Sequence, residues 1–281
     1  MQESDLPLKI CKTCNTPEEA IIEAFDKKIK VPIMCKCEKE KYNKIKQQEA
    51  IQEKMYRLDK LRNYSLMDKQ FEQCTFENFE VDEHNKQFFN LTKQYVDRFN
   101  EMKEKNLGLL LFGAPGTGKT YIAFCIANEL INRMVPVIAI SSIGLLNKIK
   151  ETYKKYGNEG EIEVINSLKN ASLLILDDLG AENSTDWARE KIYEIIDSRY
   201  RDKKPIIITT NLKLEQLMEK MAGGDRVYRT YDRIIEMCTP VEVKGKARRI
   251  ETAKAKQKLL KELLGGVIDG GCEKSGPKRE L

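Results

Sequence analysis

One eight-residue segment constrains this chain more than any other feature. Residues 113–120 read GAPGTGKT and match the pattern G-x-x-x-x-G-K-[S/T] at every fixed position. The segment follows the apolar run LGLLLF at 107–112, and it opens the helical pattern KTYIAFCIANELI at Lys119. A strand, a glycine-rich turn and a helix in this order predict a phosphate-binding loop. A glycine-rich turn that binds nothing is the alternative.

The residues of this loop have distinct physical roles. Three glycines let the backbone fold around phosphates so that its N–H groups point inward, and the following helix presents its positive end. Lys119 is expected to reach the β and γ phosphates, and the Thr120 hydroxyl is expected to bind Mg²⁺. The predicted nucleotide-binding residues of the loop are Gly113, Ala114, Pro115, Gly116, Thr117, Gly118, Lys119 and Thr120. The sequence therefore predicts a site for ATP and Mg²⁺.

Polar side chains follow two further apolar runs. After LLIL at 173–176, Asp177 is expected to coordinate Mg²⁺, and Asp178 is expected to polarise the attacking water. A pair of carboxylates that merely caps a turn is the alternative. After IIIT at 206–209, Asn211 is expected to orient the water, although an Asn after a strand is by itself an ordinary turn residue.

Strand-like and helical patterns alternate between residues 71 and 243. The apolar runs lie at 107–112, 135–140, 173–176 and 206–209, and the helical patterns at 119–132, 142–155, 161–169 and 186–201. A helical block at 214–238 and a short strand at 241–243 follow. This alternation predicts an α/β domain with a parallel sheet flanked by helices.

Four of the eight cysteines cluster near the N-terminus. Cys11 and Cys14 form C-x-x-C, and Cys35 and Cys37 form C-x-C. Two close pairs supply the four soft ligands of a tetrahedral Zn²⁺ site. A redox dithiol at the first pair and a set of unpaired thiols are the alternatives.

The composition favours a soluble, cytoplasmic protein, since 33% of residues are charged and neither a membrane span nor a secretory signal is evident. The single histidine, His84, argues against histidine-based catalysis. Residues 38–70 lack Gly and Pro and predict an exposed helical linker. Residues 244–281 contain 11 Lys or Arg and five Asp or Glu, which is typical of contact with polyanions or of a solvated end. The predicted units are 1–70, 71–250 and the basic tail 251–281.

The order of these motifs resembles AAA+ ATPases, and their details resemble the bacterial DnaC/DnaI-type helicase loaders, a family that includes the IstB-type transposition helper ATPases. The resembling pieces, which span roughly residues 10–250, are the two cysteine pairs, TFENF, GAPGTGKT, LLILDDLGAE, SRY and PIIITTN. The implied fold is a P-loop AAA+ domain with a small N-terminal zinc-binding domain.

The resemblance also implies roles for single residues. Phe76 and Phe79 would lie near the adenine. The helix that contains Arg226, Arg229 and Arg233 would supply an arginine finger to a neighbouring subunit, with Arg233 the first choice and Arg229 the second. Structural ion pairs are the alternative for these arginines. Arg249 would act as a nucleotide sensor, although Ala247 stands where the family usually has Ser.

The implied function is the ATP-dependent loading of a DnaB-type replicative helicase onto single-stranded DNA during initiation of DNA replication. Residues 1–70 would grip the helicase, and ATP binding would assemble a homo-oligomer. Four lysines after the second strand would face DNA phosphates or simply solvent: Lys148, Lys150, Lys154 and Lys155. An IstB-like transposition helper and a non-enzymatic adaptor switched by ATP are the alternatives.

Overall fold

In the computed structural model, the described residues are 7–24, 27–64, 71, 73–222 and 227–264. The chain divides into two compact units, Met1–Lys60 and Leu61–Leu281. The boundary predicted at residue 70 stays a prediction, because 65–70 lie outside the described residues. Residues 265–281 of the predicted tail lie outside them as well.

The first unit consists of an antiparallel hairpin and a long helix. Strands β1 (Glu19–Ala24) and β2 (Lys27–Pro32) pair with Ile22 opposite Ile29. Helix α1 covers Lys36–Tyr64, and nearly all of its side chains up to Lys60 are exposed. The helix predicted from the Gly-free, Pro-free sequence at 38–70 is confirmed up to Tyr64, and its exposure up to Lys60; residues 65–70 lie outside the described residues.

The second unit contains a five-stranded parallel sheet in the order β4-β5-β6-β3-β7. Its strands are β3 (Gly108–Phe112), β4 (Val137–Ser141), β5 (Leu173–Asp177), β6 (Ile206–Thr210) and β7 (Cys238–Glu242). The residues of β3, β4, β5 and β6 are buried, apart from the partly buried last residues of β3 and β4. Burial on both faces explains why these strands read as continuous apolar runs, and it confirms the predicted α/β fold.

Helices cover both faces of this sheet. They are α2 (Lys86–Asp97), α3 (Phe99–Glu104), α4 (Lys119–Asn132), α5 (Ser142–Asn170), α6 (Asp186–Arg201), α7 (Leu214–Met221), α8 (Arg229–Met237) and α9 (Arg248–Leu263). Alternate strand residues point to opposite sides: Leu111 packs with α2 and α4, whereas Leu110 packs with α5, α6 and α8. The predicted bounds of α4 and α6 are confirmed.

The two helices predicted between 142 and 169 are confirmed: α5 consists of two helical segments separated at Gly157, where the backbone is not helical (φ 62°, ψ −148°). Two local features differ from the expectation. Strand β7 begins at Cys238, within the predicted helical block, because Cys238 is buried and pairs with Gly108. Helices α2 and α3 have no counterpart among the predicted elements.

Arg199, in the SRY segment, is a structural residue of the core. Its side chain is fully buried, and its guanidinium donates hydrogen bonds to the carbonyl oxygens of Leu168, Ala171 and Pro205 at 2.7–3.1 Å. Burial lowers the pKa of Arg199 to about 10. The arginine thereby links the C-terminal ends of α5 and α6 to the start of β6. This is the end of the strand opposite the loops that follow β3, β5 and β6.

Candidate functional site

The loop 113–118 leaves strand β3 and ends where α4 begins. Gly113 has a φ of 145°, and a Cβ atom there would lie 2.6 Å from the carbonyl oxygen of Val243. Gly118, with a φ of 97°, is the N-cap of α4. Only glycine combines these backbone angles with such a close approach. The loop can therefore present its N–H groups and the N-terminus of α4 to an anion.

Lys119 is 5% exposed and lies against this loop. Its ammonium group donates hydrogen bonds to the carbonyl oxygens of Gly113 at 2.9 Å and of Ala114 at 2.8 Å. Burial lowers the pKa of Lys119 to about 8, although the carboxylates of Asp178 and Asp177 oppose this shift. The side chain is thus a buried cation at neutral pH, held where the loop would surround a phosphate.

We expect the affinity for ATP to fall as the pH rises above 8. Bound phosphates favour the ammonium form, so above the pKa of about 8 binding must take up a proton. The affinity should then fall by up to about tenfold for each further pH unit. Titration with a fluorescent ATP analogue between pH 7 and pH 9 measures this. Lys119→Arg is the matched control, because its guanidinium stays charged throughout; an unchanged affinity of the parent protein at pH 9 would contradict the prediction.

Asp177 ends strand β5 and is 8% exposed. One of its carboxylate oxygens accepts a hydrogen bond from the Thr209 hydroxyl at 2.6 Å. Burial raises the pKa of Asp177, and hydrogen bonds from Thr209 and Thr120 oppose that shift. Carboxylate and hydroxyl oxygens are the donors that Mg²⁺ prefers. Asp177 and Thr120 therefore fit the predicted magnesium site.

The structure brings Asp178 and Asn211 together as well. The Asn211 amide donates a hydrogen bond to Asp178 Oδ1 at 2.7 Å. Asp178 has a left-handed backbone, with φ 55°, and its carbonyl oxygen accepts a hydrogen bond from the Ser142 hydroxyl at 3.0 Å. A non-glycine residue rarely adopts this conformation, and such residues cluster at functional sites.

These residues surround one cavity of about 300 Å³. It is lined by Phe71, Gly116, Gly118, Lys119, Thr120, Tyr121, Asp177, Asp178, Asn211, Arg248 and Arg249. The strands β3, β5 and β6 are neighbours in the sheet and run parallel, so the segments after their carboxyl ends meet at this edge. The cavity therefore joins all three motifs that the sequence singles out.

Arg248 is a cavity residue that the sequence reasoning missed. Its guanidinium lies 5.0 Å above the Phe79 ring and donates a hydrogen bond to the carbonyl oxygen of Glu80. Its backbone N–H donates to the carbonyl oxygen of Gly116 at 3.2 Å. Arg249, the predicted sensor, also lines the cavity. Two adjacent cations are thus available there, and one of them is fixed to the phosphate-binding loop.

The aromatic side of the cavity differs in detail from the expectation. Phe71 and Tyr121 line it, whereas Phe79 lies behind the loop and would contact a Cβ added at Gly118. Phe76 packs edge-on against Phe89. These aromatic contacts join residues distant in sequence, so no local pattern could reveal which ring faces the cavity.

Asn128 on α4 holds this aromatic wall in place. Its side-chain amide donates hydrogen bonds to the carbonyl oxygens of Phe71 at 2.8 Å and Cys74 at 2.9 Å. The Phe71 ring also stacks on Phe124, with centroids 4.1 Å apart. The segment around Phe71 and Cys74 is thereby anchored to the helix that follows the phosphate-binding loop.

The candidate arginine fingers lie on α8. Arg233 forms an ion pair with Asp197 at 2.8 Å, and its guanidinium lies over the rings of Tyr193 and Tyr200 at 4.7 and 5.6 Å. Arg229, the first residue of α8, is exposed. Arg226 lies outside the described residues. The assignment of a finger stays a prediction.

The four clustered cysteines converge in the first unit. The sulfur atoms of Cys11, Cys14, Cys35 and Cys37 all lie within 4.8 Å of one another. The first pair lies on a turn closed by a hydrogen bond from the Asn15 N–H to the Cys11 carbonyl at 3.0 Å, and Cys37 lies in the first turn of α1. The turn and the helix start therefore bring two short motifs, 20 residues apart, to one point.

The chemistry of this cluster fits a zinc ion. Hydrogen bonding with neighbouring thiols, Cys35 first, raises the pKa of Cys37 to about 12. The Thr16 hydroxyl, by contrast, lowers the pKa of Cys14 to about 5. Four cysteine sulfur atoms this close together can hold one metal ion, and Zn²⁺ takes such a tetrahedral sulfur set.

Comparison with known proteins gives the family. The family described as IstB-like ATP binding protein matches residues 21–256, well over half of the chain. This protein belongs to that family. The IstB-like chain is 31% identical to the replicative helicase loader DnaC of Escherichia coli (strain K12) over 156 residues, which cover 55% of this chain and 61% of DnaC. It is 32% identical to the phage-like element PBSX protein XkdC of Bacillus subtilis (strain 168), over 58% of this chain and 60% of XkdC. The chain thus spans less than two thirds of these curated relatives.

Solved structures match this IstB-like protein in fold. The crystal structure of DnaI aligns with a TM-score of 0.55 at 26% identity, over 65% of this chain and 94% of that chain. The DnaC helicase loader aligns with a TM-score of 0.53 at 24% identity, over 63% of this chain and 100% of that chain. These matches confirm the AAA+ P-loop fold. Among the described residues, every helix is too short or too polar to cross a membrane.

Proposed function

We propose that this IstB-like protein is an AAA+ ATPase that binds a DnaB-type replicative helicase and loads it onto single-stranded DNA. One observation carries the ATPase part: Lys119, Asp177, Asp178 and Asn211 all border a single cavity. A protein that uses ATP binding only to change conformation would need the phosphate-binding loop. It would not need the Asp178 carboxylate that is hydrogen-bonded to the Asn211 amide beside that loop. Hydrolysis is therefore favoured over the adaptor alternative.

Each side chain has a task in the proposed hydrolysis. Lys119 would exchange its two carbonyl partners for the β and γ phosphates of ATP. Thr120 and Asp177 would hold Mg²⁺, which neutralises phosphate charge when bound. Asp178 would accept the proton of the attacking water, and Asn211, already hydrogen-bonded to Asp178, would fix the direction of that carboxylate.

We further propose that hydrolysis requires a second copy of the chain. Arg233 would donate to the γ-phosphate of a neighbouring subunit, with Arg229 as the second candidate, and Arg249 would contact the nucleotide of its own subunit. Arg233 pairs with Asp197 and lies over Tyr193 and Tyr200 of its own chain, so it would have to exchange the Asp197 carboxylate for the γ-phosphate of the neighbour. ATP binding would then drive assembly of a homo-oligomer.

The helicase part of the proposal rests on the relatives and on the first unit. DnaC is named a replicative helicase loader. The cysteine cluster lies in the first unit and would make that unit a zinc-binding module, to which we assign helicase binding. On α5, Lys154 and Lys155 are exposed and are available to DNA phosphates.

The alternative is an IstB-type transposition helper, to which the family name also points. That role requires an ATPase and a DNA-binding surface but gives no reason for a four-cysteine cluster. The cluster therefore favours the loader.

A loading assay with the replicative helicase of the same organism tests the proposal. The full chain should capture the helicase and, with ATP, stimulate unwinding of a fork coated with single-strand binding protein. Lys119→Ala should capture the helicase without stimulating it, whereas residues 71–281 should bind ATP but not the helicase. Lys105→Ala, an exposed lysine on the same unit, is the matched control and should behave like the parent. Absence of helicase capture by the full chain would contradict the loader role, and capture of a transposase instead would establish the alternative.

A further inference from the structure

Thr209 lies between the two carboxylate residues of the nucleotide cavity. It is the penultimate residue of β6 and is 1% exposed. Its hydroxyl oxygen lies 2.6 Å from Asp177 Oδ1 and 2.9 Å from the backbone nitrogen of Asp178. One buried hydroxyl therefore touches a side chain of the first carboxylate residue and the backbone of the second.

The direction of both hydrogen bonds is fixed by chemistry. A backbone N–H can only donate, so the Thr209 oxygen accepts from Asp178. The single hydroxyl proton of Thr209 is then free to donate to Asp177. Asp177 thus accepts this hydrogen bond with Oδ1, and its other carboxylate oxygen does not take part in the contact with Thr209.

The Asp178 contact matters because Asp178 occupies the left-handed region, with φ 55°. Such a conformation persists only where surrounding contacts hold it. The Asp178 N–H donates to Thr209, and its carbonyl oxygen accepts from the Ser142 hydroxyl and from the Ala181 N–H. The Thr209 contact thus helps to hold the backbone from which the Asp178 side chain reaches Asn211.

We propose that Thr209 is a positioning residue that orients Asp177 toward Mg²⁺ and sets the backbone of Asp178 for water activation. The inference rests on the proposed ATPase function. Thr209 touches neither nucleotide nor metal in this scheme; it acts through the two aspartates. Groups that orient metal ligands in this way commonly change metal affinity by about 10–100-fold when they are removed.

The next residue of the same strand supplies a matched control. Thr210 is also fully buried, and its hydroxyl donates to the carbonyl oxygen of Leu179 at 2.7 Å. It makes no hydrogen bond with either aspartate among the contacts of the described residues. Thr→Val replaces a hydroxyl by a methyl group of similar size, so each variant loses the two hydrogen bonds of a buried hydroxyl. Only Thr209→Val loses contacts with Asp177 and Asp178.

The test uses the full chain and measures Mg²⁺-dependent binding of a fluorescent ATP analogue, together with the thermal unfolding midpoint. The Mg²⁺ concentration for half-maximal binding should rise roughly tenfold in Thr209→Val. Binding measured in EDTA should stay within about twofold of the parent. Thr209→Ser, which keeps the hydroxyl, should show the Mg²⁺ dependence of the parent. Thr210→Val should lower the unfolding midpoint without changing the Mg²⁺ dependence.

The outcomes separate this inference from the proposed function. An unchanged Mg²⁺ dependence in Thr209→Val, no rescue by Thr209→Ser, or an equal change in Thr210→Val would overturn the positioning role. A parent protein that binds ATP without hydrolysing it would contradict the proposed ATPase, while the Mg²⁺-dependent affinity would still decide the role of Thr209. A parent protein that binds no ATP would overturn both.

Discussion

Replacement of Lys119 by alanine should abolish measurable ATP binding. The lysine is the one loop side chain that would place a full positive charge against the β and γ phosphates, and its ammonium already lies within 2.9 Å of two loop carbonyl oxygens. Hydrogen bonds to charged groups contribute roughly 1.5–3 kcal/mol each, so loss of two predicts a fall in affinity of at least about 100-fold. Titration with a fluorescent ATP analogue measures the loss, with Lys105→Ala as the control. Binding within tenfold of the parent would contradict the assignment.

Asp178→Asn should separate binding from turnover at the same cavity. Asparagine keeps the shape of the side chain and still accepts the Asn211 hydrogen bond through its amide oxygen, but it cannot take a proton from water. We expect ATP binding to be retained and hydrolysis to fall by about 10²–10⁴-fold. Hydrolysis at the parent rate would show that another group activates the water.

A mixture of two inactive variants tests the arginine finger. Arg233→Ala should bind nucleotide but lose assembly-dependent hydrolysis. Mixing it with Lys119→Ala should restore activity at interfaces where the Arg233→Ala chain supplies the nucleotide site and the Lys119→Ala chain supplies Arg233. Arg201→Ala is the control, because Arg201 also pairs with Asp197 at 2.9 Å but is 70% exposed. No recovery with folded, associating chains would exclude Arg233 and direct attention to Arg229.

Loss of zinc should unfold the first unit. Among the described residues of this unit, only Cys11, Cys35 and Leu58 are buried, so the cysteine cluster must supply much of its stability. Structural zinc sites contribute apparent binding energies of about 10–16 kcal/mol in small peptides. We expect about one zinc per chain, a reduced content in Cys35→Ser, and rapid amide exchange across β1 and β2 after chelation, measured by mass spectrometry.

The controls for this prediction come from the same chain. Cys74→Ser changes a buried cysteine outside the cluster and should leave the zinc content unchanged. Amide exchange in the five-stranded sheet should also stay slow after chelation. Protein prepared without chelator that contains no metal would refute the zinc site, and a Cys11–Cys14 disulfide would establish the redox alternative.

The parts of the site that could be predicted are those encoded by consecutive residues. The glycines of GAPGTGKT allow the backbone conformation of the loop, so the loop can be recognised from its sequence. The strands that lead to Asp177 and Asn211 are buried apolar runs, so the residues at which they end can be predicted as well. The parallel order of the strands then brings these ends together.

Contacts between distant residues could not be predicted in this way. The hydrogen bond between Thr209 and Asp177 joins positions 32 residues apart, and that between Asn128 and Phe71 joins positions 57 apart. Neither a hydroxyl in a strand nor an amide in a helix has a distinctive sequence pattern. The start of β7 was misplaced for a related reason, since Cys238 extends the ladder only because Gly108 lies beside it.

The bonds between Lys119 and the carbonyl oxygens of Gly113 and Ala114 bear on the timing of the cycle. In the proposed ATPase cycle, these two carbonyl oxygens would replace the phosphates of a departing ADP as hydrogen-bond acceptors for the buried ammonium. ATP must displace the same two oxygens on entry. We therefore expect the site to release ADP fast and to bind ATP with modest affinity. At cellular ATP concentrations it would then bind a new ATP after each round of hydrolysis.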